Sequence, residues 1–382
     1  MHSSTLRLVR LLILALLLPG HVTWANAANS SADSAFCQQH GLIQSEPNRS
    51  VLYTLDYFGT SISVEVLDDG GEDAALALCE SLRLIEHYHQ LASDYDTYPG
   101  LVNIKSINLD PTATHRVDPE LFELIQTGVE WHRLSGGYFN IAIGPVVQLW
   151  RQHRFQCNQQ GAGPDDCSLP SNEALKAAAT HTRINNIHLN AANHSITMAE
   201  GMSLDLGGIA KGWMVEKVLD QLKQRGMRSV VINAGGNIRH YGRHPEGRPF
   251  VTAIENPVCR KHDFQLPGCD QMETRYTEVV TGENLTVVTS GNYLKYFEVG
   301  GKEYHHIIDP TTLYPKQGGV ATSVVLSNNH IYADVLSTTL FLMPLDRAKA
   351  LAEKLNYLEG VWVLDENGRR VYSSGFERLS RH

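Results

Sequence analysis

Long hydrophobic runs are nearly absent from this 382-residue chain. Beyond the apolar stretch 11–18, no segment is apolar enough to cross a bilayer. Clustered positive charge is missing as well. With 32 Lys and Arg against 41 Asp and Glu, the formal net charge is −9. That balance argues against nucleic acid as a partner, because neutralising phosphates takes basic patches. No C-x-x-C pair occurs, which disfavours a structural zinc site. There is no repeat of solenoid period and no strict strand–helix–strand rhythm. A mixed α+β fold is therefore expected rather than a repeat array or a doubly wound sheet.

What is present begins with an address. Arg7 and Arg10 precede the apolar run, and Ala25-Asn26-Ala27 offers a small-x-small cleavage site. Residues 1–27 read as a secretory signal peptide cut near Ala27, too short and wrongly flanked for a span. No cysteine follows at a lipidation position. Loss of Arg7 and Arg10 takes the net charge from −9 to −11. Residues 28–48 are polar and expected to be flexible, leaving 49–382 as one domain, or two lobes sharing a core.

All six cysteines lie beyond the expected cut, and export favours disulfides. Cys157/Cys167 and Cys259/Cys269 each flank a polar stretch and read as stapled loops, leaving Cys37 with Cys79. A short staple of this kind contributes about 3 kcal/mol.

Apolar spacing predicts helices over 74–91 and 119–134, the second with proline in its first turn. Strands are expected around 52–66, at 229–232, 249–255, 274–280, 285–289, 293–299 and 321–326. Hairpins are expected at 187–198 and 362–372, and a further helix at 332–343. The stretch 151–171 reads as a polar insertion between two cysteines.

Four segments could carry chemistry. In Asp205-Leu206-Gly207-Gly208-Ile209-Ala210-Lys211-Gly212 an acid ends an apolar run, two glycines bare the backbone and a lysine opens a helix. A phosphate-bearing ligand could approach closely there, although such a turn also serves as plain chain geometry. Thr289-Ser290-Gly291-Asn292-Tyr293 precedes Tyr304-His305-His306-Ile307-Ile308-Asp309-Pro310, which sets an imidazole near a carboxylate. That imidazole could move a proton or bind phosphate, or be a surface histidine held by a turn. Asp334, Ser337 and Thr338 share one helix face, and such hard oxygens suit Mg²⁺; a helix-capping acid is the alternative. Tyr138-Phe139-Asn140 beside Gly136-Gly137, followed by Gly144-Pro145 and Trp150, could sandwich a planar ring or fill a core.

The order and wording of these segments resemble the ApbE family, the FAD:protein FMN transferases. Members carry a D-L-G-G-I-A-K-G-like segment, then an N-A-G-G-D-like strand end, T-S-G-x-Y, H-I-I-D-P-x-T-G and A-D-x-L-S-T. Here the matches are 205–212, 233–237, 289–293, 306–312 and 333–338, within a likeness running from about Tyr53 to Leu364.

The resemblance implies a two-lobed, T-fold-related α+β architecture with the ligand site between the lobes. It implies Mg²⁺ as cofactor and FAD as substrate. The FMN half would be moved to a Thr or Ser hydroxyl of an acceptor protein, with release of AMP. Asp205 and Lys211 would contact FAD. The Gly208 carbonyl with Asp334 and Thr338 would hold the metal, Ser337 being a weaker candidate. His306 matches the active-site histidine, Tyr95 the tyrosine beside the flavin, and Phe58 a position where methionine is common. Tyr138, Phe139, Asn140 and Ile308 complete the set expected at the flavin nucleotide.

Asn140 and Asn237 stand where carboxylates are usual, and Leu313 replaces a glycine. The implied partner is an acceptor flavoprotein of a membrane electron-transport complex facing the periplasm. The rivals are an FAD pyrophosphatase giving FMN and AMP, and a periplasmic FAD-binding protein without catalysis.

Overall fold

The computed structural model describes residues 31–68, 70–159 and 167–379. The expected signal peptide, residues 1–27, lies outside them. From the N-terminus come α1 (Ser31–His40), the strands β1 (Leu42–Glu46), β2 (Arg49–Thr54) and β3 (Ile62–Val66), and then α2 (Glu72–Ala92). Next are α3 (Ile104–Leu109), β4 (His115–Arg116), α4 (Pro119–Leu134), α5 (Gly144–Cys157), α6 (Asn172–Ala179), β5 (Ile187–Asn190) and β6 (Ser195–Met198). Helix α7 (Ala210–Gln224) leads to β7 (Val230–Ala234), β8 (Asn237–Tyr241) and β9 (Phe250–Glu255). Two short helices, α8 (Pro257–Lys261) and α9 (Met272–Arg275), precede β10 (Tyr276–Gly282), β11 (Thr286–Gly291), β12 (Tyr296–Val299) and β13 (Lys302–His305). The chain closes with β14 (Ala321–Leu326), α10 (Ala333–Leu342), α11 (Leu345–Lys354), β15 (Leu358–Val363) and β16 (Arg370–Tyr372).

Nine strands form one sheet in the order β1-β2-β3-β7-β8-β11-β14-β15-β16, every neighbouring pair antiparallel. Strand β3 shows why: Ile62, Val64 and Val66 are buried while Ser63 and Glu65 between them are not, the period-two pattern of a sheet with one face on the core. Helices α2, α7 and α10 cover that face, and Leu78, Leu82, Ile85, Val218, Leu222 and Leu336 join the strands in the main core. Central β14 is buried on both faces. Its Val324 and Leu326 belong to the main core. Val325 instead meets Ile254, Val280 and Phe376 on the far side.

A smaller three-stranded sheet, β4-β6-β5, and the β12–β13 hairpin lie outside the main sheet. Helix α5 packs on that hairpin through Val146 and Trp150, beside Leu175 of α6. Thus helix and sheet are mixed as expected. Helix α4 has the expected bounds because Asp118 caps it, accepting from the Glu120 N–H, and Pro119 pre-sets its first turn.

Two regional expectations differ from the structure. The described part of 28–48 is not irregular: it forms α1 and β1, and the Cys37–Cys79 disulfide joins α1 to α2. The expected 151–171 insertion begins as the second half of α5, whose apolar face continues through Trp150. Cys259–Cys269 forms as expected. No bond joins Cys157 to Cys167, between which residues 160–166 lie outside the description. Among the described residues no helix is long and apolar enough to cross a membrane.

Candidate active site

The Asp205 loop is fixed at both ends of the aspartate. Its backbone N–H donates to the Ile141 carbonyl at 2.8 Å, and Oδ1 accepts from the Gly207 N–H at 2.8 Å. Oδ2 accepts from Arg151 at 3.1 Å, while the same guanidinium donates to Asp94 at 2.7 Å. Arg151 also lies over the Tyr95 ring, 4.2 Å from its centroid. Burial and the neighbouring Asp205 push the Asp94 carboxyl up, and Arg151 opposes that rise. Burial works against the charge of Arg151, but Asp205 and Asp94 outweigh it and hold the guanidinium above its ordinary range.

One helix turn further, the first turns of α7 and α10 meet. Lys211 Nζ lies 3.3 Å from each carboxylate oxygen of Asp334 and 3.3 Å from the Gly207 carbonyl. The Gly212 N–H donates to Asp334 at 3.2 Å. This approach needs glycine, because a Cβ on Gly212 would stand 2.8 Å from the Asp334 Cβ. Asp334 itself is buried. Gly208 lies against Thr338 and Phe139: a Cβ there would be 3.4 Å from Thr338 Oγ1 and 3.1 Å from the Phe139 ring. Ser290, at the end of β11, links the hydroxyls of Ser337 at 2.8 Å and Thr338 at 3.2 Å. Asp334, Thr338 and Ser337, with the carbonyls of the glycine loop, make a set of hard oxygens on two helix starts. That donor chemistry fits Mg²⁺.

His306 follows the last residue of β13. Its side chain reaches solvent, yet enough protein surrounds it that desolvation holds the imidazole well below the ordinary histidine range. Lys295, His305, Arg154 and Lys211 add to that depression by repulsion. The ring is therefore neutral at pH 7 and is not a fixed cation.

The aromatic candidates take separate places. Phe58 has a left-handed backbone, φ 54°, and its N–H donates to His89 of α2 at 3.2 Å. Its turn abuts the Asn233–Gly236 turn, where a Cβ on Gly235 would collide with Thr60. Tyr95 is exposed on Arg151. Phe139 is buried beside Gly208, and Tyr138 packs with Ile307, Phe341 and Leu342.

Two residues expected at the nucleotide are occupied within the chain. Asn140 donates to the Thr182 carbonyl at 3.0 Å and caps the turn after it, accepting from the Ala142 N–H at 2.9 Å. Ile308 is buried in the α5–hairpin cluster. Asn237 is buried in β8, and its Oδ1 has no hydrogen-bond partner among the described residues.

Sequence reading missed Arg151, Arg154, Lys295 and Ser290 as site residues. The signal for the two arginines was their spacing: Arg151 and Arg154 are one turn apart on the helix that carries Trp150.

The ApbE family profile matches residues 58–362. The FAD:protein FMN transferase of Haemophilus influenzae is 29% identical over 331 residues, covering 84% of this chain and 89% of that protein. That of Vibrio cholerae is 28% identical over 320 residues, covering 83% and 88%. The crystal structure of the ApbE protein from Thermotoga maritima superposes with a TM-score of 0.72 at 23% identity. It covers 90% of this chain and 100% of that one, a likeness of fold.

Proposed function

The chain belongs to the ApbE family, and from that premise we propose that it is an FAD:protein FMN transferase. It moves the FMN half of FAD to a Thr or Ser hydroxyl of an acceptor flavoprotein. The observation that carries this reading is the contact of Lys211 with Asp334. It brings the 205–212 and 333–338 segments, 123 residues apart in sequence, into one polar wall.

In the proposed reaction the acceptor hydroxyl oxygen attacks the FMN phosphorus. The bond from that phosphorus to the bridging oxygen breaks, a phosphoester to the acceptor forms, and AMP leaves with the bridging oxygen. The neutralisation that Mg²⁺ supplies to the pyrophosphate oxygens would be organised by Asp334 and Thr338, with Ser337 and the Gly208 carbonyl beside them. Lys211 places a second positive charge at the same wall. The His306 imidazole, neutral at pH 7, would orient the acceptor hydroxyl and take its proton once the phosphates of the dinucleotide offset the cations that depress it. Tyr95, braced by Arg151, offers a ring face for the flavin, and Asp205 faces the same side. With Arg7, Arg10 and the Ala25-Asn26-Ala27 site, we place this activity in the periplasm, acting on a subunit of a membrane electron-transport complex.

Incubation of the protein with FAD, Mg²⁺ and an acceptor domain, followed by a denaturing gel, tests the reading. A flavin-fluorescent acceptor band supports transfer. Free FMN and AMP without that band identify a hydrolase instead, and unchanged FAD identifies a binding protein.

A further inference from the structure

We propose that Arg154 and Lys295 form an oxyanion clamp beside His306, built to hold a phosphate group of the dinucleotide. The choice of FAD as ligand rests on the function proposed above; the clamp itself rests on geometry.

Helix α5 and the β12–β13 hairpin meet where Trp150 stacks on Tyr304, with centroids 5.7 Å apart, and lies 6.3 Å from Phe297. Arg154 follows Trp150 by four residues and so occupies the same face of α5, one turn further on. On the hairpin, Phe297 pairs with Tyr304 and Tyr296 with His305. Lys295 and His306 are the next residues outward. Both stand in exposed bends just beyond the strand ends, where Lys295, Arg154 and Lys211 all lie close enough to the His306 ring to oppose a charge on it. Arg154, Lys295 and His306 thus converge at the open end of one seam, near Lys211.

Most other cations in and around this part of the molecule already have a carboxylate. Arg151 holds Asp94 and Asp205, Lys211 holds Asp334, Lys261 holds Glu303 and Lys316 holds Asp309. Among the described residues, neither Arg154 nor Lys295 has one within ion-pair distance. Desolvation lowers both groups; at Arg154 the Tyr95 hydroxyl works against that and Arg151 adds repulsion, while Lys211 and Arg154 repel the charge of Lys295. In a chain of net charge −9, two neighbouring cations without a carboxylate are poised for an incoming anion, and a phosphate can accept from a guanidinium and an ammonium together.

The test is the doubly substituted Arg154→Gln/Lys295→Gln protein, with the charge-preserving Arg154→Lys/Lys295→Arg protein as control. Binding of FAD, ADP, inorganic pyrophosphate and riboflavin is measured for each at low and physiological salt. Loss of both charged contacts should weaken FAD, ADP and pyrophosphate by about 30-fold or more. Riboflavin, which has no phosphate, should change by no more than about twofold, and the control should stay close to wild type. FAD and ADP weakened while pyrophosphate is unchanged would place the effect on the adenosine and overturn the clamp. Equal weakening of riboflavin, or no change with any anion, overturns it too. Pyrophosphate tests the clamp without a flavin. Its loss from the glutamine variant upholds the clamp even if the wild-type protein proves unable to bind FAD, an outcome that would instead defeat the proposed function.

Discussion

Lys211 Nζ is equidistant, at 3.3 Å, from the two carboxylate oxygens of Asp334. The contact ties the start of α7 to the start of α10 and sets a cation and an acid side by side. Asp334→Ala should abolish Mg²⁺-dependent turnover, with a loss of at least 100-fold in kcat/KM. It should also lower stability by about 2 kcal/mol, less than for a fully buried pair because the Lys211 side chain stays partly exposed. Turnover assays and urea unfolding check both numbers; full activity in this variant removes Asp334 from the metal set.

Gly212→Ala separates helix propensity from the site. Alanine favours a helix interior by about 1 kcal/mol, but its Cβ would lie 2.8 Å from the Asp334 Cβ. We expect turnover to fall at least tenfold, with α7 intact by circular dichroism. Unaltered activity would show that the α7–α10 contact is looser than described.

Arg151→Met should leave Asp94 and Asp205 facing one another without their cation. The Asp94 carboxyl is already raised by burial and by Asp205, so losing Arg151 raises it further. A carboxyl raised in the folded state favours folding in its protonated form. The instability of this variant should therefore be greatest near pH 7 and lessen as pH falls through the raised value. Unfolding midpoints of variant and wild type, compared at pH 7 and pH 5, check the convergence; a gap that widens in acid contradicts it.

Buried histidines set the opposite slope. Burial lowers His240 to about 4 and His330 to about 3, both below the ordinary value near 6.5. The unfolded chain then binds protons first, so their contribution is full above about pH 6.5 and is lost as pH falls toward the folded values. His240→Gln should flatten the dependence of the unfolding midpoint on pH between about 6.5 and 4. An unchanged slope would show that His240 titrates normally.

His306 shares that direction of shift, and its test is spectroscopic. Its imidazole signals should not titrate between pH 7.5 and pH 5.5, and His306→Asn should lower kcat more than it raises KM. A midpoint near 6.5 for this ring would show that the surrounding protein and the charges of Lys295, His305, Arg154 and Lys211 do not depress it.

Much of this arrangement was legible in the sequence where local chemistry decides it. The Asp118–Pro119 start fixed α4, β14 has the bounds expected of 321–326, and 187–198 forms the expected hairpin of β5 and β6. Lys211, Gly208, Asp334 and Thr338 came together as their motif order suggested. What was hidden depends on contacts between distant elements. Arg151 joins acids 57 and 54 residues away, and a single arginine in a helix carries no mark of that. Strand β8 follows β7 after one tight Gly235-Gly236 turn, too short a gap to stand apart from it in an apolar pattern. Helix α1 is polar, and its place is set by Cys37 packing and bonding to Cys79. Asn140 and Ile308 look like ligand contacts in the motifs, but capping and packing use them within the chain.

The central claim is transfer itself, and intact mass spectrometry of the acceptor tests it most directly. With wild-type protein, FAD and Mg²⁺, the account predicts one covalently bound FMN per acceptor, mapped to a Thr or Ser, with one AMP released for each. The Asp334→Ala protein should give neither. An acceptor of unchanged mass while FAD is consumed to FMN and AMP would contradict the account.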